Sequence, residues 1–285
     1  MVPEFEITER HLAEWIQLAF VSLLAIAAWL RPLSWSRQLM VSKLALIAIG
    51  AIVLARLSTR WLTPAASAVL RDWVPAALLL VPYWQIGQFF MGADPRTETR
   101  LAAFDRAFFR RLGIQPANIS ISVAVGTYLE LAYMMVYPLM PLGLAALYAG
   151  GLRQFADYYW VVVLPATYIC FAITPFVQAM PPRLLAGHDT FRMPPSKAEA
   201  FNHRLLHRAS IQAITFPSGH VASATAAALV LLRIEPWVGL IFLVIAISIA
   251  VATVVGGYHY AADVLLAAVV AVGVFVATFG MLKPG

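Results

Sequence analysis

The sequence predicts an all-α, polytopic membrane bundle of about eight transmembrane helices. Three observations predict it. Hydrophobic residues make up 61% of the 285 positions and charged residues only 12%, where a soluble domain carries charge at about a quarter of its positions. Several apolar runs reach the roughly 20 residues that cross a bilayer as a helix. The runs are continuous, and in lipid a helix satisfies its own backbone groups within one segment.

In chain order, the opening residues MVPEFEITER are polar and acidic, and no cleavable signal peptide is expected. The first two spans are expected at Leu12–Leu30 and Gln38–Leu57, and the third at Trp73–Met91. A polar connection, Gly92–Asn118, follows. Within it, Thr97–Leu112 alternates charge with Leu101, Phe104, Phe108 and Phe109, a spacing that suits an amphipathic helix. Such a helix lies on the membrane or packs on the bundle. Ser122–Tyr148 and Tyr158–Met180 are the fourth and fifth spans, and Pro181–Thr215 is the second long polar connection. The last three spans are expected at Ser218–Leu232, Trp237–Gly256 and Tyr260–Leu282. Trp15, Trp29, Trp35, Trp61, Trp73, Trp160 and Trp237 fall near these ends, where indole rings favour the interface. No internal repeat stands out, and the chain reads as one membrane domain.

The single cysteine, Cys170, has no internal disulfide partner. The formal charge of +6 is modest, and no basic stripe or nucleic-acid motif accompanies it. Anionic lipid head groups are the expected partners, not nucleic acid.

With eight spans, both long connections and the turn near Gly257 share one side of the membrane. That side collects about a dozen Lys and Arg against about seven on the other, which by the positive-inside rule alone puts it in the cytoplasm. Cations kept for binding phosphate are poor votes on topology.

Ionisable groups at membrane depth are costly and default to functional candidates. His220 opens the sixth span, and His259 and Asp263 open the eighth. A spacing of four puts His259 and Asp263 one helical turn apart on one face. There the carboxylate fixes the imidazole tautomer and favours its cationic form. A histidine so held attacks phosphorus through its other nitrogen, while a second histidine protonates the leaving oxygen. In Pro217-Ser218-Gly219-His220 the first amides of a helix face an anion, Ser218 caps, and Gly219 admits an oxyanion close to the backbone. Alone, the tetrapeptide reads equally as a plain helix cap with an interfacial histidine. His259 and Asp263 in the next hairpin favour the catalytic reading.

FPSGH followed by GGYHYAAD resembles the type-2 phosphatidic acid phosphatase superfamily, which also includes vanadium haloperoxidases. The spans exclude a soluble haloperoxidase. The resemblance implies that His259 is the nucleophile forming a phosphohistidine, Asp263 its support and His220 the acid. Ser218 and Gly219 would hold phosphate oxygens. It implies no cofactor and no metal, and a lipid phosphate as substrate. It also implies a six-helix catalytic core, residues 73–285, with residues 1–72 adding two helices. The site would face the periplasm of a bacterial inner membrane, against the raw charge count.

The sequence departs from the family pattern in two places. The Ser-Arg pair of its third motif falls at Ala252-Thr253, so one phosphate-binding arginine is missing. Lys197 and Arg204 keep the Lys-x6-Arg spacing of its first motif, but Leu205 replaces the proline. Pro181-Pro182-Arg183 is a rival and makes Arg183 the favoured phosphate cation; otherwise these cations are solvated loop charges. A Pro-Pro-Arg there, and a GGYHYAAD without the arginine, look like the branch containing inositol phosphorylceramide synthases. That branch passes a phospho-head group to a lipid hydroxyl.

Other polar residues carry weaker signals. His203 and His207 are spaced to share a metal, but two ligands make no site. His188-Asp189 is a candidate for orienting substrate, and Glu130 is either a buried hydrogen-bonded carboxyl or a head-group contact. A transporter or non-catalytic scaffold is the reading from another class. Transporters show repeats around a midplane site, whereas these polar residues gather at one face.

Overall fold

The computed structural model describes residues 11–185, 191–211 and 213–281. Among them there is no strand, only an isolated bridge between Ser120 and Arg192. The helices are α1 (Leu12–Leu30), α2 (Trp35–Leu57), α3 (Pro64–Leu78), α4 (Leu80–Gly87), α5 (Pro95–Arg111), α6 (Val123–Met134), α7 (Val136–Ala149), α8 (Ala156–Ile173), α9 (Lys197–Ala209), α10 (Gly219–Ile234), α11 (Pro236–Val255) and α12 (Ala261–Thr278). Six described stretches are long and apolar enough to cross a membrane, or seven if the bent pair α6–α7 counts as one span. The remaining expected span, α10, has 16 residues, about 24 Å of helix against about 30 Å of hydrocarbon.

Two expected spans are broken, and proline explains both breaks. A proline inside a helix removes a donor and clashes with the carbonyl four residues back. Pro82 lies four residues after Leu78, where α3 ends. Pro138 lies four residues after Met134, where α6 ends, and α6 and α7 meet at 61°. The third span also begins at Pro64, not near Trp73, behind an N-cap from Thr63.

The core is built around α8 and α10. α10 buries Val221, Ala222, Ala224, Ala226, Ala227, Ala228, Val230 and Leu231, so small side chains let its neighbours approach closely. α8 buries thirteen of its eighteen residues, Trp160 among them. Trp160 is therefore not an interface anchor as expected; its indole Nε1 donates to Asp72 O at 2.9 Å.

Buried polar groups fasten α1 and α2 to this core. Glu14 accepts from Arg56 and Arg71 at 2.6 Å each, and Asp157 accepts the first two amides of α1 at 3.0 Å. Gln85 donates to the carbonyls of Val21 and Val41. α5 packs on the bundle, as one of the two sequence readings had it. Leu101 joins Ala179, Ile214 and Tyr260, while Phe104 stays exposed.

Candidate active site

The turn between α11 and α12 carries the central pair. Thr253 O accepts the amides of both Tyr258 (2.9 Å) and His259 (3.0 Å), which closes the end of α11. Gly257 takes φ +64°, where a side chain is strained, and a Cβ there would lie 2.9 Å from Arg183 Cβ. His259 Nδ1 then sits 3.0 Å from Asp263 Oδ2, with His259 4% exposed and Asp263 fully buried. The same carboxylate oxygen accepts the Tyr260 amide at 3.2 Å. A proton on Nδ1 facing the carboxylate leaves the Nε2 lone pair free.

The sequence led us to expect the carboxylate to favour a cationic imidazole. Burial and then the Arg183 charge oppose this and push His259 down to about 3, so the ring is neutral. A neutral ring is the form that attacks.

His220 faces this pair from the first turn of α10, its ring centroid 5.8 Å from that of His259. Ser218 is the N-cap: its Oγ accepts from Val221 N at 3.4 Å, and its own amide donates to Asp263 O at 3.3 Å. The Gly219 amide donates to Thr215 Oγ1 at 3.0 Å. Hydroxyls of the protein thus already occupy part of the expected anion cradle. A Cβ on Gly219 would meet Phe171 at 2.5 Å, so close packing of α8 on α10 also requires this glycine.

Arg183 follows α8 in a single turn, and its amide donates to Gly257 O at 3.1 Å. Its guanidinium lies 4.0 Å from the centre of the Tyr258 ring. Lys197 and Arg204 are exposed on α9, where Arg204 Nε donates to Ala200 O at 3.2 Å. Thr253, in the place of the missing arginine, is fully buried, and its hydroxyl donates to Ala250 O. Of the three sequence candidates, the structure brings Arg183 to the histidines. His188-Asp189 lies outside the described residues. His203 is exposed, the side chain of His207 lies outside the described residues, and among those described no three His, Cys, Asp or Glu side chains gather as a metal site.

Three buried polar atoms here have no hydrogen-bond partner among the described residues: Arg183 Nε, His220 Nδ1 and Asp263 Oδ1. Native interiors rarely leave such groups unmet without a reason. An apolar cavity of about 160 Å³ adjoins His220. His220, Gly219 and Ser223 form one wall, and Leu79, Leu80 and Trp84 from the α3–α4 break form another. Val136, Tyr137 and Pro141 from the second break, and Thr167 and Phe171 of α8, line it as well.

A family model described as the PAP2 superfamily matches residues 99–277, from the first turns of α5 to the end of α12. The chain belongs to the PAP2 superfamily. Searches of curated proteins and of solved structures returned no match. Apolar helices of spanning length and PAP2 superfamily membership together make this an integral membrane protein.

Sequence reasoning missed Asp105. This α5 carboxylate is 5% exposed and accepts the Ala261 amide at 2.9 Å, capping α12 just before Asp263. The available signal was an acid four residues after Leu101 on the buried face of α5. Burial raises Asp105 from 3.8 to about 7. Between those values the folded chain keeps a proton that the unfolded chain has released, so stability falls as pH rises through that window. Asp105→Asn preserves an acceptor without the charge, and it is expected to flatten this fall. Thermal unfolding in detergent from pH 4 to 8 measures it, and an unchanged slope would count against the buried carboxyl.

Proposed function

We propose that this protein cleaves a phosphoester of a lipid phosphate or diphosphate through a phosphohistidine on His259, releasing phosphate to water. The observation that carries the reading is the buried His259–Asp263 pair facing His220, which lines an apolar cavity, with Arg183 docked on the same turn at Gly257.

His259 Nε2 attacks phosphorus, and the P–O bond to the lipid breaks. His220 takes up a proton as the anionic substrate binds and gives it to the departing oxygen. His220 then takes a proton from water, whose oxygen attacks the phosphohistidine and releases phosphate. Asp263 holds the Nδ1 proton throughout and stabilises the cation that forms. Arg183, Ser218 and Gly219 hold the phosphoryl oxygens, where charge accumulates. Lys197 and Arg204, exposed on α9, serve as outer head-group contacts. The apolar cavity beside His220 suits a hydrocarbon chain, which favours a lipid over a water-soluble phosphoester. In this reading the site faces the periplasm of a bacterial inner membrane.

A second reading keeps the first half-reaction and replaces water with a lipid hydroxyl, as in inositol phosphorylceramide synthases. Thr253 in place of the arginine, together with Pro181-Pro182-Arg183, favours it. One assay separates the two. Detergent-purified protein is incubated with a panel of lipid phosphates and diphosphates, with and without a hydroxyl-bearing lipid. Free phosphate independent of the added lipid supports hydrolysis. A new head-grouped lipid supports transfer, and neither product from any substrate defeats both.

A further inference from the structure

We propose that Tyr258, held by Glu130, is a positioning residue: its ring is the platform that delivers Arg183 to the phosphate in place of the arginine missing at Thr253. This rests on the phosphohistidine reading above and adds to it the means by which the phosphate cation is placed.

The rings and charges form a column. The Arg183 guanidinium lies 4.0 Å from the centre of the Tyr258 ring. Tyr133 stacks on Tyr258 with centroids 3.8 Å apart and planes 10° from parallel. The next ring is His220, 5.6 Å from Tyr133. Successive ring contacts through Tyr258 and Tyr133 thus connect the cation and the acid. His259 follows Tyr258 directly in the chain, so platform and nucleophile share one turn.

The column is anchored at its hydroxyl end. Tyr258 Oη donates to Glu130 Oε2 at 2.7 Å, and Asn202 Nδ2 from α9 donates to the same oxygen and to Glu130 O. Glu130 is 4% exposed and Asn202 fully buried. A carboxylate accepting from a phenol enriches the ring in electrons, which strengthens its attraction for a guanidinium. Among the described residues Arg183 has no carboxylate partner that would compete with phosphate. Its Nε stays buried with no partner among the described residues, a donor whose desolvation is recovered when an anion arrives.

The test uses the full-length enzyme in detergent, with inorganic phosphate as competitive inhibitor and lipid phosphate as substrate. Tyr258→Leu is expected to weaken phosphate inhibition and raise KM by about tenfold, with a smaller change in kcat. Tyr258→Phe keeps the ring and loses the Glu130 bond, and a shift of about twofold to threefold is expected. Adding Tyr258→Leu to Arg183→Ala should cost nothing further, because the platform acts only through Arg183. Independent, multiplying losses in the double variant would overturn the proposal, as would unchanged phosphate inhibition in a folded Tyr258→Leu protein. If that variant does not fold, Tyr258→Phe and Glu130→Gln carry the test: matching small shifts support the platform, and no shift in either defeats it. The two ideas fail separately. Turnover retained by His259→Ala refutes the phosphohistidine, while phosphate binding by titration calorimetry still reads the platform.

Discussion

His259→Ala is expected to lower kcat by about four orders of magnitude or more, since the proposed mechanism forms its covalent intermediate on His259. The measurement is turnover of lipid phosphate in detergent, with folding checked by elution and thermal unfolding. His220→Ala should behave differently with different leaving groups. A lipid alkoxide needs its proton, whereas p-nitrophenolate departs without one. The His220 variant is therefore expected to keep far more activity on p-nitrophenyl phosphate than on the lipid ester. Asp263→Asn should lie between, because the amide holds the ring less faithfully in the Nδ1–H tautomer. Activity persisting in His259→Ala would remove the nucleophile from the mechanism.

Arg183→Ala is expected to cost about 10²–10³-fold in kcat/KM, the range for losing one preorganised donor to developing phosphoryl charge. Arg204→Ala and Lys197→Ala should cost about tenfold at most, because exposed charges act across water and are screened. Arg183 docks by its backbone on Gly257, beside the nucleophile, whereas Arg204 bonds its own helix at Ala200 O. Arg183→Lys should recover only part of the loss, since an ammonium lacks the planar fork of the guanidinium that lies over Tyr258. The opposite ranking, with Arg204→Ala the more damaging, would return the phosphate cation to α9.

The sequence made the membrane bundle legible because its signal is local and repeated. Apolar run after apolar run placed α1 within its observed bounds and α11 and α12 within a few residues at their starts. The His259–Asp263 pair was legible for a similar reason: four residues in a helix fix a geometry. What escaped was of two kinds. The breaks at Leu79 and Met135 were hidden because hydropathy continues across them; the signals were Pro82 and Pro138, each four residues beyond the last helical turn. Contacts between distant segments were hidden because no spacing encodes them. Asp105 reaches Ala261 across 156 positions, and Glu130 reaches Tyr258 across 128. The same holds for the cation. Pro-Pro-Arg pointed to Arg183, but only packing puts it over Tyr258. Trp160 misled because an indole near a helix end marks the interface only when it faces lipid.

The two proline breaks divide the cavity beside His220 into unlike halves. One side is α10, packed with buried alanines against α8 and α11. The other is made of α4 and α7, the short segments that follow Pro-induced breaks and are joined to their partners α3 and α6 without a continuous ladder of hydrogen bonds. A close-packed helix resists deformation, while a broken one yields at its joint. If the proposed lipid substrate seats its chain here, the yielding side would accommodate bulky and slender chains while the histidines keep their spacing. On the proposed function, selectivity among tails is thereby uncoupled from the chemical step, so the one can drift in evolution without resetting the other.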